Sequence, residues 1–202
     1  MPHLDGIREA LEQHEPRILS VEGKRLAGVA LVLGGAAPNP EVLLIERARR
    51  TGDPWSGHMA FPGGRLDPGD AHARDAAERE TLEEVGVSLA DATCLGRLAD
   101  LEGYHAGHAA GMVISAWVYH LPEAPPLVTN HEVEATFWVP LQRLLDPSHH
   151  VEFPYSPAGG RRFPGIVVGQ PGRHVVWGLT YRFLEIFFEI AKRPLPSRPG
   201  DR

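Results

Sequence analysis

The chain has 202 residues, of which 43% are hydrophobic and 23% charged, and its net charge is −6. This length predicts a single domain with one sizeable core. The acidic balance excludes the basic footprint of a nucleic-acid-binding protein and gives no reason to expect binding to an anionic membrane.

The N-terminal half predicts two helices and two strands. Residues 5–14 can form a short amphipathic helix, and residues 25–35 and 41–48 are typical of buried strands. Residues 49–60 predict a loop. Residues 70–85 predict a helix with Asp70 as its N-cap and Gly86 as its stop, and with Leu82 and Val85 against the core.

The C-terminal half predicts three strands and two helices. The strands are expected at 92–101, 112–121 and 135–140, with a loop at 122–134 and a short helix after residue 140. The Gly/Pro-rich stretch 146–173 predicts irregular structure. An apolar, buried helix at 177–193 ends at Pro194. This mixture of elements indicates an α/β or α+β fold.

The lone Cys94 excludes an intramolecular disulfide and a cysteine-rich zinc site. The N-terminus is too polar for a signal peptide, and no apolar run approaches the length of a membrane span. We therefore expect a cytoplasmic enzyme or binding protein.

Three glutamates share one face of the helix expected at 70–85. Relative to Glu80, Glu84 lies roughly 40° away and Glu83 roughly 60° away on the other side. They repel one another and oppose the helix macrodipole. A divalent cation would remove this conflict, and carboxylate oxygens suit Mg²⁺ or Mn²⁺. Arg79 can hold one carboxylate in position, although a solvated acidic surface remains the alternative.

Gly63 and Gly64 precede this helix, and without side chains they let the backbone come close to another group. Such a turn can expose N–H groups to an anion. Together with the acidic helix, it favours a site for a metal ion and a phosphate group.

These residues resemble the motif of the Nudix hydrolase family, G-x5-E-x7-R-E-U-x-E-E-x-G-U, where U is bulky and apolar. The matching residues are Gly64, Arg79, Glu80, Glu83, Glu84, Gly86 and Val87. Asp70 replaces the first glutamate, eight residues separate it from Arg79, and Thr81 takes the apolar position. The first two departures resemble the coenzyme A pyrophosphatase-like branch of the family.

The stretch LLIERARRTGDPWSGHMAFPGG at 43–64 is similar to an upstream signature of that branch. It differs from the signature in three ways. Ile45 replaces a threonine, the loop is one residue longer, and the mid-loop arginine is not at its expected position. Three later stretches, FWVPLQRLL, RRFPGIVV and VWGLTYRFL, also resemble the branch. The similarity covers roughly residues 25–190.

The resemblance implies a Nudix α/β/α sandwich, with a mixed sheet between helices and a loop–helix–loop motif. We therefore predict a Nudix domain at 25–193, preceded by a helical extension at 1–24 and followed by a flexible tail at 194–202. The implied reaction is hydrolysis of coenzyme A or its derivatives to 3′,5′-ADP and 4′-phosphopantetheine. The last helix could contribute to a homodimer, since Nudix proteins often pair.

Mg²⁺ or Mn²⁺ held by Glu80, Glu83 and Glu84 would clamp phosphate oxygens and lower the pKa of bound water. Catalytic roles are predicted for Glu83, Glu84 and Arg79, with Glu132 and Glu134 as further candidates for the general base. Substrate contacts are predicted for Arg47, Gly63, Gly64 and Arg65, with Arg161 and Arg162 as weaker candidates.

For several aromatic and histidine side chains, we favour an ordinary packing or polar role over a role in the site. Trp55, Tyr104 and Trp117 could stack on adenine, but packing is more common for single aromatics. The pairs His105–His108 and His149–His150 lie in predicted loops without a metal-binding motif, so ordinary polar roles are expected.

Two alternative functions remain open. One is an ADP-ribose or dinucleotide pyrophosphatase. The other is a catalytically silent Nudix domain that binds a nucleotide and regulates a partner.

Overall fold

The computed structural model describes residues 3–35, 38–52, 55–105, 108–155 and 160–196, with the backbone alone at 104–105 and 108–110. Its strands are β1 (Arg25–Gly34), β2 (Glu41–Arg47), β3 (Met59–Ala60), β4 (Gly63–Arg65), β5 (Thr93–Arg97), β6 (Leu101–His105), β7 (His108–Leu121), β8 (Val133–Pro140), β9 (His150–Tyr155), β10 (Arg161–Val167) and β11 (Val175–Trp177). Its helices are α1 (Leu4–Glu12), α2 (Ala73–Val85), α3 (Leu141–Leu145) and α4 (Gly178–Ile190), with a 3₁₀ turn at Pro147–His149.

The strands form two sheets. The larger sheet has the order β3-β2-β1-β7-β5, with β4 paired to β1, β6 to β7 and β8 to β2. Strands β1 and β7 run parallel, whereas the other pairs of this sheet are antiparallel. The smaller, antiparallel sheet has the order β11-β10-β9.

Alternating side chains of β1 enter two different parts of the core. Leu31 and Leu33 pack with residues of α1, α3 and α4, while Ala30 and Val32 pack with residues of α2. The period-2 pattern of a strand produces this division. The large sheet therefore lies between helices, as the sequence predicted.

The first helix is part of this packing. Ile7 and Leu11 of α1 are buried with the side chains of α4 in one cluster. The division at residue 24 is not tested by this contact and stays a prediction. Residues 197–202 of the expected tail lie outside the described residues.

The predicted start of the second helix is wrong. The helix begins at Ala73, with His72 at the N-cap, and Asp75 accepts hydrogen bonds from the backbone N–H groups of Ala71 and His72. Asp75 thus satisfies two N–H groups at this end, and Asp70 bonds elsewhere. The predicted end is confirmed: Gly86 adopts φ 71° and its N–H donates to the carbonyl of Leu82.

Leu82 does not pack on the core, contrary to the prediction. Its side chain is 53% exposed, whereas Val85 is fully buried. Ala76, Ala77 and Thr81 are buried instead, so α2 approaches the sheet through small side chains.

Other elements also differ from the sequence prediction. The stretch at 146–173 contains β9 and β10, and the loop at 49–60 ends in β3. The strand expected at 92–101 is divided between β5 and β6. His105 and His108 are paired at the ends of β6 and β7 rather than lying in a loop.

Candidate active site

Helix α2 turns Glu80 and Glu84 of its acidic face inward, toward β4. The side chain of Glu80 is 16% exposed, and Glu84 is 1% exposed. The backbone N–H of Gly63, in β4, donates to Glu84 Oε2 over 2.9 Å. Two of the three glutamates on the face predicted from the spacing are therefore largely buried.

The glycine pair allows this close contact. A Cβ on Gly64 would collide with the Glu80 carboxylate in its present position, so the glycine allows this close contact. Gly63 and Gly64 lie in β4 and pair with β1. The N–H of Gly63 is used by Glu84, rather than exposed to an external anion as the sequence suggested.

Glu132 joins the two helix glutamates from a distant loop. The N–H groups of Val128 and Asn130 donate to the carbonyls of Val85 and Glu84 at the end of α2. The Asn130 side chain accepts from the N–H of Glu132, whose carbonyl accepts from Ala48. The loop thus satisfies two carbonyls of the helix terminus and fixes the backbone of Glu132 beside the helix.

Glu80, Glu84 and Glu132 form the acidic cluster of the protein. One carboxylate oxygen from each lies within 4.8 Å of the others. Among the residues that the structure describes, no other group of His, Cys, Asp or Glu side chains meets this criterion.

Burial and mutual repulsion make this cluster costly when it is fully ionised. Burial raises the pKa of Glu84 to about 7, and the nearby charges of Glu80 and Glu132 add to the shift. The Gly63 N–H and the Arg47 guanidinium act in the opposite direction. Burial also raises the pKa of Glu80, against the effect of Arg79. Clustered, desolvated oxygen donors fit a hard dication such as Mg²⁺ or Mn²⁺.

Arg79 connects the two ends of the motif. Its guanidinium lies 2.9 Å from Asp70 and 3.0 Å from Glu80, and it donates to the carbonyl of Arg65. The hydrogen bond from Arg79 lowers the pKa of Asp70. Asp70, which stands in place of the motif's first glutamate, therefore anchors the arginine that orients Glu80.

Two predicted acids lie outside the acidic cluster. Glu83 is 55% exposed and lies 3.4 Å from Arg79. Glu134 is 54% exposed and lies 3.6 Å from Arg173. Of the two loop acids proposed from the sequence, the structure thus brings only Glu132 to Glu80 and Glu84.

The predicted arginines occupy different surroundings. Arg47 ends β2 and affects the pKa of Glu84, so its charge faces the acidic cluster. Arg65 ends β4 and is exposed. Arg162 pairs with Glu152 over 3.1 Å, and Arg161 lies over the ring of Phe163.

Arg50, which the sequence motifs did not indicate, also contacts the acidic cluster. Its guanidinium lies 2.8 Å from Glu132, and its backbone N–H donates to Ser56 Oγ. The arginine-rich run at 47–50 indicates a basic segment, but the sequence alone does not show which of its arginines contacts Glu132.

The remaining candidates have ordinary packing or polar contacts. Trp117 lies beneath Arg97, and Trp55 packs against the core. His150 Nε2 lies 2.8 Å from the carbonyl of Leu144, and His149 lies 3.5 Å from Asp146. The side chains of Tyr104, His105 and His108 are outside the described residues.

The fold and site together define an α/β/α sandwich with a carboxylate cluster between a glycine-containing strand and a helix. The sequence profile described as "NUDIX domain" matches residues 24–158. The chain belongs to the Nudix hydrolase family, as the sequence resemblance predicted.

Two relatives support the predicted branch of the family. The peroxisomal coenzyme A diphosphatase ndx-8 of Caenorhabditis elegans is 35% identical over 135 residues, covering 65% of this chain and 56% of that protein. The mitochondrial coenzyme A diphosphatase NUDT8 of Homo sapiens is 29% identical over 164 residues, covering 81% and 68%. The resemblance to the coenzyme A pyrophosphatase-like branch is thereby confirmed. The chain spans between 34% and 68% of the lengths of the curated relatives that it matches.

A solved structure confirms the fold. The crystal structure of a MutT/nudix family protein from Enterococcus faecalis aligns with a TM-score of 0.56 at 18% identity, covering 88% of this chain and 64% of that chain. Within the described residues, no helix has both the length and the apolar character needed to cross a membrane.

Proposed function

We propose that this protein is a pyrophosphohydrolase that cleaves the diphosphate of coenzyme A or its derivatives, giving 3′,5′-ADP and 4′-phosphopantetheine. The observation that carries the proposal is the acidic cluster, with its three carboxylates within 4.8 Å. The coenzyme A diphosphatase names of two relatives favour this substrate over other nucleoside diphosphates.

Glu80, Glu84 and Glu132 would hold Mg²⁺ or Mn²⁺ at the acidic cluster, and the exposed Glu83 would supplement them. A bound dication supplies positive charge to the diphosphate and to the attacking water. Arg79 would orient Glu80, and its contacts with both Glu80 and Asp70 support this role.

We assign the general base to Glu132, through the carboxylate oxygen that does not face the cation, since each member of the acidic cluster offers one oxygen to it. Its side chain is 36% exposed, so water can reach it, and Arg50 holds its carboxylate over 2.8 Å. A base must lie within hydrogen-bond reach of the water that it deprotonates, and a loop acid at the rim of the cluster fits this requirement. Glu134 is the weaker candidate because it lies by Arg173.

Arg47, Gly63, Gly64 and Arg65 form the proposed substrate-binding side of the site. Arg47 and Arg65 would offer charged hydrogen bonds to phosphate oxygens. The two glycines keep the backbone of β4 close to the cluster. The cytoplasmic location, the homodimer and the domain limits remain predictions, and the names of the two relatives refer to peroxisomes and mitochondria.

Mass spectrometry of reaction products tests the proposal. The full chain would be incubated with Mg²⁺ and coenzyme A, ADP-ribose, NADH or a dinucleoside polyphosphate. We expect 3′,5′-ADP and 4′-phosphopantetheine from coenzyme A, and loss of nearly all turnover in a folded Glu84→Gln variant. Cleavage of ADP-ribose with coenzyme A intact would overturn the substrate assignment. No cleavage of any of these compounds would favour a silent, nucleotide-binding domain.

A further inference from the structure

Four aromatic side chains share one face of the three-stranded sheet. Phe163 of β10 pairs with Phe153 of β9, and Trp177 of β11 pairs with Gly165. The alternate residues Ile166 and Val176 point into the main core. The other face of the sheet carries the set that we call the aromatic face: Phe153, Tyr155, Phe163 and Trp177.

Trp177 lies at the centre of the aromatic face. Its ring centroid is 4.5 Å from that of Tyr155, 5.3 Å from Phe153 and 5.5 Å from Phe163. All four side chains are only partly buried. A contiguous, partly exposed set of aromatic rings is typical of a binding surface.

One ring contact and two backbone hydrogen bonds link the aromatic face to the loop that holds Glu132. The ring of His58 is 4.8 Å from that of Trp177, and the carbonyl of His58 accepts from the N–H of Arg47. The next residue, Ala48, donates its N–H to the carbonyl of Glu132. The end of β2 therefore contacts both the loop whose His58 ring packs against the aromatic face and the loop that holds Glu132.

The charge beside the aromatic face complements a nucleotide. The guanidinium of Arg161 lies 5.8 Å from the ring centroid of Phe163, and this arginine is exposed. Aromatic rings flanked by arginine bind nucleobases by stacking while the cation attracts phosphate. The alternative occupant is a second copy of the chain, but the exposed Arg161 beside the rings favours an anionic ligand that carries a base.

We propose that the aromatic face stacks the adenine base of the substrate while the diphosphate lies at the acidic cluster. This inference rests on the proposed function, because it places the nucleoside end of the same substrate. It assigns Trp177 and Tyr155 to substrate specificity and Arg161 to the nucleotide's phosphate charge. None of these residues takes part in bond cleavage.

The test compares Trp177→Leu with Trp117→Leu, a matched change at another partly buried tryptophan that also lies by an arginine. We expect Trp177→Leu to raise the KM for coenzyme A roughly tenfold, with kcat close to that of the wild type. We expect Trp177→Phe to retain most of the affinity and Trp117→Leu to leave KM unchanged. Thermal melting of each variant verifies folding.

Competitive inhibition separates base recognition from a general loss of structure. Trp177→Leu should weaken inhibition by 3′,5′-ADP roughly tenfold. Inhibition by inorganic pyrophosphate, which has no base, should not change. If Trp177→Leu does not fold, Tyr155→Leu on the edge strand β9 takes its place with the same expectations.

Unchanged KM and inhibition constants in a folded Trp177→Leu enzyme would overturn the inference and leave the proposed function intact. A change of oligomeric state in Trp177→Leu, measured by analytical ultracentrifugation, would also overturn it and assign the aromatic face to self-association. If the wild type cleaves no nucleotide, the proposed function fails. Calorimetric binding of 3′,5′-ADP to the wild type and to Trp177→Leu then decides the inference separately, with equal affinities overturning it.

Discussion

Glu84 has the most unusual surroundings of any acid described in the structure's candidate site. It is 1% exposed, it accepts a hydrogen bond from Gly63, and two other carboxylates lie within 4.8 Å. Burial raises its pKa to about 7, so the folded state holds the Glu84 proton more tightly than the unfolded chain does. Ionisation of this residue is therefore linked to stability and to metal binding.

The first prediction concerns pH and the metal-free protein. Because the folded pKa of about 7 exceeds the unfolded value of 4.5, stability from this proton is present below pH 4.5 and is lost as the pH rises through 7. The shift corresponds to about 3 kcal/mol at most. In EDTA, the free energy of unfolding of the wild type should fall relative to that of Glu84→Gln between about pH 5 and pH 8. Denaturant unfolding measures this difference, and parallel pH profiles would contradict it.

The second prediction separates the two loop acids. Glu132→Gln should lower kcat by about 10²-fold or more at saturating Mg²⁺, because it removes the proposed general base. Glu134→Gln is the matched control and should retain a kcat close to that of the wild type. Steady-state kinetics on coenzyme A measures both variants. The opposite ranking would transfer the role of base to Glu134.

At the scale of elements, the site depends on how closely α2 packs on β1. Gly28 of β1 lies directly under the start of the helix, and a Cβ there would collide with the carbonyl oxygen of Ala73. Gly28 also pairs with Gly64, whose missing side chain leaves room for Glu80. Helix and strand are thus held at a separation that only glycine permits.

The third prediction follows from this packing. Gly28→Ala should destabilise the protein by about 1–3 kcal/mol and reduce turnover, because it pushes α2 away from β1 and β4. Gly69→Ala is the control, since a Cβ at Gly69 has no atom within 4 Å and should leave stability nearly unchanged. Thermal melting and kinetics test the pair. Equal behaviour of the two variants would mean that the close approach is not needed.

Local periodicity was sufficient to predict α2 and its acidic face, because the 3.6-residue repeat fixes which side chains are neighbours. It could not rank Glu132 above Glu134. That choice depends on the hydrogen bond from Asn130 to the carbonyl of Glu84, which lies far away in the sequence. The contact of Arg50 with Glu132 is equally non-local.

The smaller sheet was missed for a related reason. Its strands β9 and β10 contain Pro154 and Pro164, residues that weaken a strand prediction. Their pairing with each other and with β11 creates the sheet, and this pairing is a tertiary property. Leu82 was misplaced because the helix packs through small residues rather than through its largest apolar side chain.

At the scale of the whole molecule, one ion cluster joins the two sheets. Glu46 of β2 is fully buried and accepts two hydrogen bonds of 2.9 Å from Arg173, in the connection between β10 and β11. His174 lies 3.2 Å from the same carboxylate. The smaller sheet is thereby fixed to the strand that ends at Arg47.

The fourth prediction concerns this connection. Arg173→Ala should lower the melting temperature by several degrees, because it leaves the buried Glu46 carboxylate without its guanidinium partner. Arg162→Ala is the control, since it removes an exposed ion pair with Glu152, and such pairs add little stability. Calorimetry measures both. A larger effect in Arg162→Ala would show that the buried cluster does not hold the sheets together.

Binding of Mn²⁺ tests the central claim most directly, because it requires no substrate. Isothermal titration at pH 8 would compare the wild type with Glu80→Gln, Glu84→Gln, Glu132→Gln and Glu83→Gln. The acidic cluster predicts that each of the first three changes weakens Mn²⁺ binding roughly tenfold or more, and that Glu83→Gln has the smallest effect. Equal affinity in the wild type, Glu84→Gln and Glu132→Gln would contradict the account.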